Sequence, residues 1–207
     1  MGFANFESLR SQVSLLIGAG LFAMLATVAK AAPPSLPPPE FSKCQTCHGQ
    51  IGDSSSGTVP RLNGQQQLYL AERLRSFRDP TRQTAHATYF MWDVNSKLSN
   101  QAVQAIADYL AVQSPTAAPA ISGKLSEQGR KIYDEESAEL LACKSCHGPQ
   151  GEGRLGIPRL AGQHGQYLRR QMESFSLMTR VSGAMNPHTR MLAPDQIGAL
   201  VAYLAKD

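Results

Sequence analysis

Concentrated charge is missing from this sequence. Its 20 Lys and Arg against 16 Asp and Glu leave a formal net charge of +4. The basic residues are scattered, with no run of about five or six together, and that pattern excludes a nucleic-acid partner. Aromatic residues are few, 7% of the chain, so a core built only from large side chains would be modest. No alternating apolar and polar pattern competes for a half-buried β-strand, which points to an all-α fold. Apolar content is ordinary, and 207 residues suit one large domain or two small ones.

One N-terminal apolar stretch, Val13 to Val28, follows Arg10 and precedes Ala29-Lys30-Ala31, the small-x-small spacing of a signal-peptidase site. Residues 1–32 are therefore expected to be a signal peptide or, if uncleaved, an N-terminal anchor. With Gly18 and Gly20 the run is somewhat short of the roughly 20 apolar residues that span a bilayer. Pro33, Pro34, Pro37, Pro38 and Pro39 make 33–39 a stiff spacer lacking the backbone donors a helix needs.

Everything after the spacer is a repeat. Cys44-Gln45-Thr46-Cys47-His48-Gly49 answers Cys143-Lys144-Ser145-Cys146-His147-Gly148, and Val59-Pro60-Arg61-Leu62-Asn63-Gly64-Gln65 answers Ile157-Pro158-Arg159-Leu160-Ala161-Gly162-Gln163. Tyr69-Leu70 then pairs with Tyr167-Leu168, Phe77 with Phe175, and Tyr109-Leu110 with Tyr203-Leu204. The expected division is a domain at 40–113, a linker at 114–122 with Ser114, Pro115, Thr116 and Pro119, and a domain at 123–207. Leu70, Leu74 and Phe77 are spaced as one helical stripe, as are Leu168, Met172 and Phe175. Val103, Ile106, Ala107 and Leu110 match Ile197, Leu200, Val201 and Leu204 in a final helix. Ser99 is a candidate N-cap for the first of these, and Pro194 suits the opening turn of the second.

The four cysteines make two C-x-x-C-H motifs. Two thiols three positions apart on a helical turn can each bond one haem vinyl group, and the adjacent histidine then presents its imidazole to the iron. Disulfides would not explain a histidine after both pairs. A four-cysteine zinc site usually has its halves about 15–20 residues apart, far closer than these. A thiol redox motif expects a βαβ surrounding that is absent. The expected cofactors are two covalently bound haem c groups, which would also supply apolar surface that the few aromatics do not. Cys44 and Cys47 would hold one, Cys143 and Cys146 the other, with His48 and His147 as iron ligands.

Such a histidine is usually oriented by a carbonyl accepting from its second nitrogen. Pro60 and Pro158, 12 and 11 residues after the histidines, are the candidates, the alternative being that each proline only stops a loop. For the sixth ligand, Met91 and Met185 each lie seven residues before equivalent leucines, Leu98 and Leu192, on segments without obvious helical periodicity. They are the candidate iron ligands, while Met178 and Met191 have no methionine counterpart and fall to packing or surface roles. His86 and His188 are rival ligands that do not align with one another, and His164 is assigned no iron.

From Cys44 to the C-terminus the chain resembles the two-domain dihaem cytochromes c of the class-four type, with C-x-x-C-H-G, P-x-L-x-G-Q, a methionine before a leucine and a terminal Y-L helix each present twice. The resemblance implies two small helical domains, each wrapping one haem with His/Met ligation, in a periplasmic electron carrier rather than an enzyme. Transfer would be outer-sphere, between redox proteins such as a membrane oxidoreductase and a terminal oxidase. It also makes Arg61, Arg159, Gln65 and Gln163 candidate propionate contacts. The alternatives are a dihaem enzyme of peroxidase or thiosulfate-oxidising type, and a fixed subunit of a membrane oxidoreductase. Two departures stand out. Gly129 and Tyr133 supply a packing pair on an N-terminal helix in the second repeat, whereas only Glu40, Phe41, Ser42 and Lys43 separate the spacer from Cys44. Four extra residues also lengthen the loop before Met91, comparing Arg82–Met91 with Arg180–Met185. The first site is therefore expected to be the less securely packed.

Overall fold

A computed structural model of the chain describes residues 36–78, 87–135 and 141–207. The signal or anchor segment 1–32, Pro33, Pro34, Arg82 and His86 lie outside them. Among the described residues the regular structure is helical, apart from isolated bridges at Arg154–Ile157 and Gln163–Ala205. A 3₁₀ turn, Pro39–Phe41, leads into α1 (Ser42–His48), followed by α2 (Gln67–Ser76), α3 (Ala87–Ser96) and α4 (Asn100–Ala111). The second repeat runs through α5 (Gly123–Asp134), α6 (Cys143–His147), α7 (Gly165–Ser176), α8 (Met185–Arg190) and α9 (Pro194–Leu204). Both repeats belong to a single unit, Pro33–Asp207.

The last helix of each repeat carries its core. In α4 the apolar stripe Val103, Ile106, Ala107 and Leu110 is buried against Leu70, Leu74 and Leu98. In α9 Leu200 and Leu204 pack with Leu168 and Tyr133, with Met172 and Val201 half-buried at the edge. Helix starts follow the local chemistry. Ser99 Oγ accepts from the Ala102 amide at 3.0 Å, and Pro194 opens α9 where Gln196 Oε1 accepts from the Ala193 amide at 2.8 Å.

The short N-terminus of the first repeat is packed, contrary to expectation. Phe41, delivered by the 3₁₀ turn, is 0% exposed, and so is Tyr133, delivered by the 12-residue α5. Each ring meets the tyrosine of the final helix in the same way: Phe41 on Tyr109 and Tyr133 on Tyr203, both with centroids 5.3 Å apart and planes tilted by 56°. One aromatic wedge is thus supplied by two different elements. Only the tyrosine adds a polar tie, donating to the Gly148 carbonyl at 2.6 Å. Helix α5 lies so close on α9 that a Cβ at Gly129 would stand 1.9 Å from the Ala199 carbonyl oxygen.

The methionine segments are helical. Met91 lies within α3 and Met185 opens α8, and their register agrees. Four residues on, Asn95 Nδ2 donates to the Met91 carbonyl at 2.6 Å and Thr189 Oγ1 donates to the Met185 carbonyl at 2.9 Å.

Gly129→Ala should therefore force α5 off α9, a destabilisation of about 1–3 kcal/mol. At roughly 2–4 °C per kcal/mol this reads as a lowered Tm, while Gly156→Ala, where a Cβ meets nothing within 4 Å, leaves Tm unchanged. Phe41→Ala should remove about 3–5 kcal/mol in thermal unfolding, and Tyr133→Phe only about 1 kcal/mol, the net value of one hydrogen bond.

Candidate functional site

Each C-x-x-C-H motif occupies one short helix, so its two thiols share a face one turn apart and the histidine closes the helix. The helices stop at Gly49 and Gly148, with φ of 85° and 84°, a conformation that favours glycine. Beyond them the chain is turned back by one carbonyl in each repeat. Gly52 accepts from Leu62 and Asn63 at 2.6 and 3.1 Å, and Gly151 accepts from Leu160 and Ala161 at 2.7 and 3.0 Å. That pair of hydrogen bonds brings the proline loop beneath the histidine.

The outcome is the same at both centres: His48 Nδ1 lies 2.9 Å from the Pro60 carbonyl, and His147 Nδ1 lies 2.9 Å from the Pro158 carbonyl. A carbonyl can only accept, so Nδ1 carries the proton and Nε2 keeps its lone pair. The two rings are equally buried, at 6% and 7% exposed. Burial lowers the pKa of both, against the raising effect of the proline carbonyls, and near His147 the charge of His188 lowers it further. Neutral imidazoles with a free basic nitrogen result.

No disulfide joins the four cysteines. Burial pushes Cys44 up to about 11, helped by Cys47 and opposed by Lys43, and burial also raises Cys143. Among the described residues no three His, Cys, Asp or Glu side chains gather as a metal cluster. Two thiols one helical turn apart beside an imidazole whose Nε2 has no hydrogen-bond partner among the described residues are the donor set a covalent haem requires, so these residues fit it.

Met91 and Met185 are half-buried, on α3 and α8. The rival His188 has both ring nitrogens against carbonyls, Nδ1 at 2.8 Å from Ala184 and Nε2 at 3.2 Å from Leu141. Met178 and Met191 are exposed. His164 is buried with Nε2 2.8 Å from the Ser54 carbonyl and Nδ1 3.6 Å from Asp207.

Arg61, Arg159, Gln65 and Gln163, read from the sequence as propionate contacts, are engaged at the junction of the two repeats. Gln163 Oε1 accepts from the Arg61 amide and its Nε2 donates to the Arg61 carbonyl, both at 2.9 Å. Gln65 Oε1 accepts from the Arg159 amide at 2.6 Å and its Nε2 donates to the Arg159 carbonyl at 3.0 Å. The Arg61 guanidinium donates to the Gly162 and Lys206 carbonyls, and Arg159 Nε donates to the Ala161 carbonyl at 3.0 Å. The side chains around this clasp leave a cavity of only about 10 Å³. Sequence reasoning missed further members of the junction. Gln66 Nε2 donates to the Glu152 carbonyl at 3.0 Å, and Arg180 donates to Tyr69 at 3.2 Å and also bonds Tyr167. Burial there pushes the Tyr167 phenol up to about 12. The repeat alignment pairs Gln66 with His164 and Tyr69 with Tyr167, the one signal that could have marked them.

Comparison with known proteins bears on both repeats. The Cytochrome c family matches residues 40–114 and again 126–206. A cytochrome c-552 of Acidithiobacillus ferridurans is 32% identical over 99% of this chain and 92% of the relative. The cytochrome c4 structure of Acidithiobacillus ferrooxidans superposes with a TM-score of 0.72 at 33% identity, covering 79% of this chain and 98% of that one. A protein of Thiomonas intermedia named thiosulfate dehydrogenase electron acceptor is 31% identical, with 88% of each chain covered. With the motif pair, the helical fold and these likenesses spanning both halves, the chain belongs to the cytochrome c family, as a dihaem electron-transfer protein of the class-four type.

Proposed function

We propose that Cys44 and Cys47 hold one haem and Cys143 and Cys146 the other, with His48 and Met91 as axial ligands of the first iron and His147 and Met185 of the second. The duplicated Nδ1–H to proline carbonyl bond at 2.9 Å carries this reading, because it fixes each ring with Nε2 available. A bound haem supplies a one-electron iron couple, whose potential methionine ligation raises. The protein's own contribution is to bury the imidazole, hold its tautomer and keep the ligand helices in register. Domains at 40–113 and 123–207 each form one such centre, joined by the linker 114–122.

The reading extends to an electron carrier rather than an enzyme. Peroxide chemistry would need an acid–base group beside the iron, and His188, the histidine near Met185, directs its ring N–H at a backbone carbonyl, that of Ala184 at 2.8 Å or of Leu141 at 3.2 Å. Its partners would be redox proteins, such as a membrane oxidoreductase and a terminal oxidase. The likeness to the Thiomonas acceptor supports a sulfur-oxidising dehydrogenase as a further donor. Export to the periplasm rests on the sequence of residues 1–32. Among the described residues no helix is long and apolar enough to cross a membrane.

Intact mass of the mature protein should report two covalent haems and cleavage of the N-terminal segment. The oxidised protein should show the methionine-to-iron charge-transfer band from both centres. Met91→His and Met185→His should each lower one midpoint potential in a redox titration, and an unchanged pair of potentials overturns that ligand assignment. Rapid turnover of hydrogen peroxide by the wild type would favour the enzyme.

A further inference from the structure

The proline carbonyl that orients each histidine belongs to a peptide whose other end is held by the opposite repeat. Pro60 C=O, which accepts from His48 Nδ1, is conjugated to the Arg61 N–H, which donates to Gln163 Oε1 at 2.9 Å. Pro158 C=O, which accepts from His147 Nδ1, is conjugated to the Arg159 N–H, which donates to Gln65 Oε1 at 2.6 Å. Both glutamines are buried, and each Oε1 takes a second bond from the amide of the following residue, Gln66 at 2.9 Å and His164 at 3.0 Å. Their Nε2 groups return to the same arginine backbones, so each carboxamide is pinned at both ends.

We infer that Gln163 tunes the centre of the first repeat and Gln65 the centre of the second, each acting across the junction through the peptide that holds the other repeat's histidine. The inference rests on the axial role given to His48 and His147 above. Accepting from a peptide N–H draws charge onto the conjugated carbonyl oxygen, and hydrogen bonds in such a chain strengthen one another. A stronger acceptor at Nδ1 gives the imidazole more anionic character and makes Nε2 more basic. A more basic ligand favours the oxidised metal and lowers its potential. The glutamines are positioning residues here, since neither touches the iron ligand itself.

A purely structural role makes a different prediction. Gln66 crosses the same junction to the Glu152 carbonyl, whose peptide N–H, that of Gly153, donates to the His147 main-chain carbonyl at 2.7 Å and to neither proline carbonyl, so Gln66→Ala loosens the contact without touching the bonds at Nδ1. The test is an NMR-followed redox titration of the holoprotein, resolving each haem, together with exchange rates of the two histidine Nδ1 protons. Gln163→Met should raise the potential of the haem on Cys44 and Cys47 and speed Nδ1 exchange at His48, leaving the second centre nearly fixed. Gln65→Met should do the reverse. A roughly threefold change in the oxidised-to-reduced ratio corresponds to a shift of about 28 mV, at ~59 mV per tenfold for one electron. Gln66→Ala should lower Tm and move neither potential.

Should a methionine variant fail to fold, Gln163→Glu and Gln65→Glu keep the accepting oxygen and add charge, and should shift the opposite centre downward more than the near one. Shifts confined to the same repeat, equal at both centres or absent overturn the inference. Loss of a haem, or histidine ring signals in the wild type without paramagnetic shifts, instead overturns the ligand assignment on which it rests.

Discussion

The rest of the molecule is arranged around one hydrogen bond made twice, from a histidine Nδ1 to a proline carbonyl. Making it requires a helix that ends at the histidine, a loop that reverses within about a dozen residues, and a carbonyl aimed back at the ring. Gly49 and Gly148 stop the helices, and the paired amides on Gly52 and Gly151 fold the loops. The same loop then continues into the junction between repeats. Histidine orientation and domain packing are therefore one structure, and rearranging either would disturb the other.

The chemistry of this class of protein asks for little movement. An electron carrier works best when its ligands are already where both oxidation states want them, so buried, singly tautomeric imidazoles are an asset. On the proposed ligation, the contacts behind the methionines fit that demand. Asn95 and Thr189, both nearly inaccessible, bind the methionine carbonyls with different functional groups in the same register. Their agreement is an argument from packing that two unrelated side chains reached the same solution.

Much of this was legible in the sequence because repetition exposes what a single copy hides. The cysteine–histidine motifs, the helical stripes and the Ser99 cap needed only spacing. The alignment also placed Met91 and Met185 in one register, although it missed that their segments are helical, since short helices with few apolar positions leave no periodic trace. Phe41 was misjudged for a related reason. Its counterpart Tyr133 sits on a long helix, and a three-residue turn that delivers an aromatic ring to the equivalent place has no helical signature. The resemblance makes Gln65 and Gln163 candidate propionate contacts near the interface, but a sequence does not show that each also binds the opposite repeat's arginine backbone.

The clasp is reciprocal: Gln65 meets Arg159 as Gln163 meets Arg61, the pattern of a two-fold dimer written into a single chain. True dimers must change both halves together, because one gene encodes each face. Fusion removes that restraint. Phe41 against Tyr133, Gln66 against His164, and Asn95 against Thr189 are places where the halves have already parted while the shared frame persists. A molecule so built can give its two centres different properties one residue at a time, and a direction to the current through it becomes something selection can set.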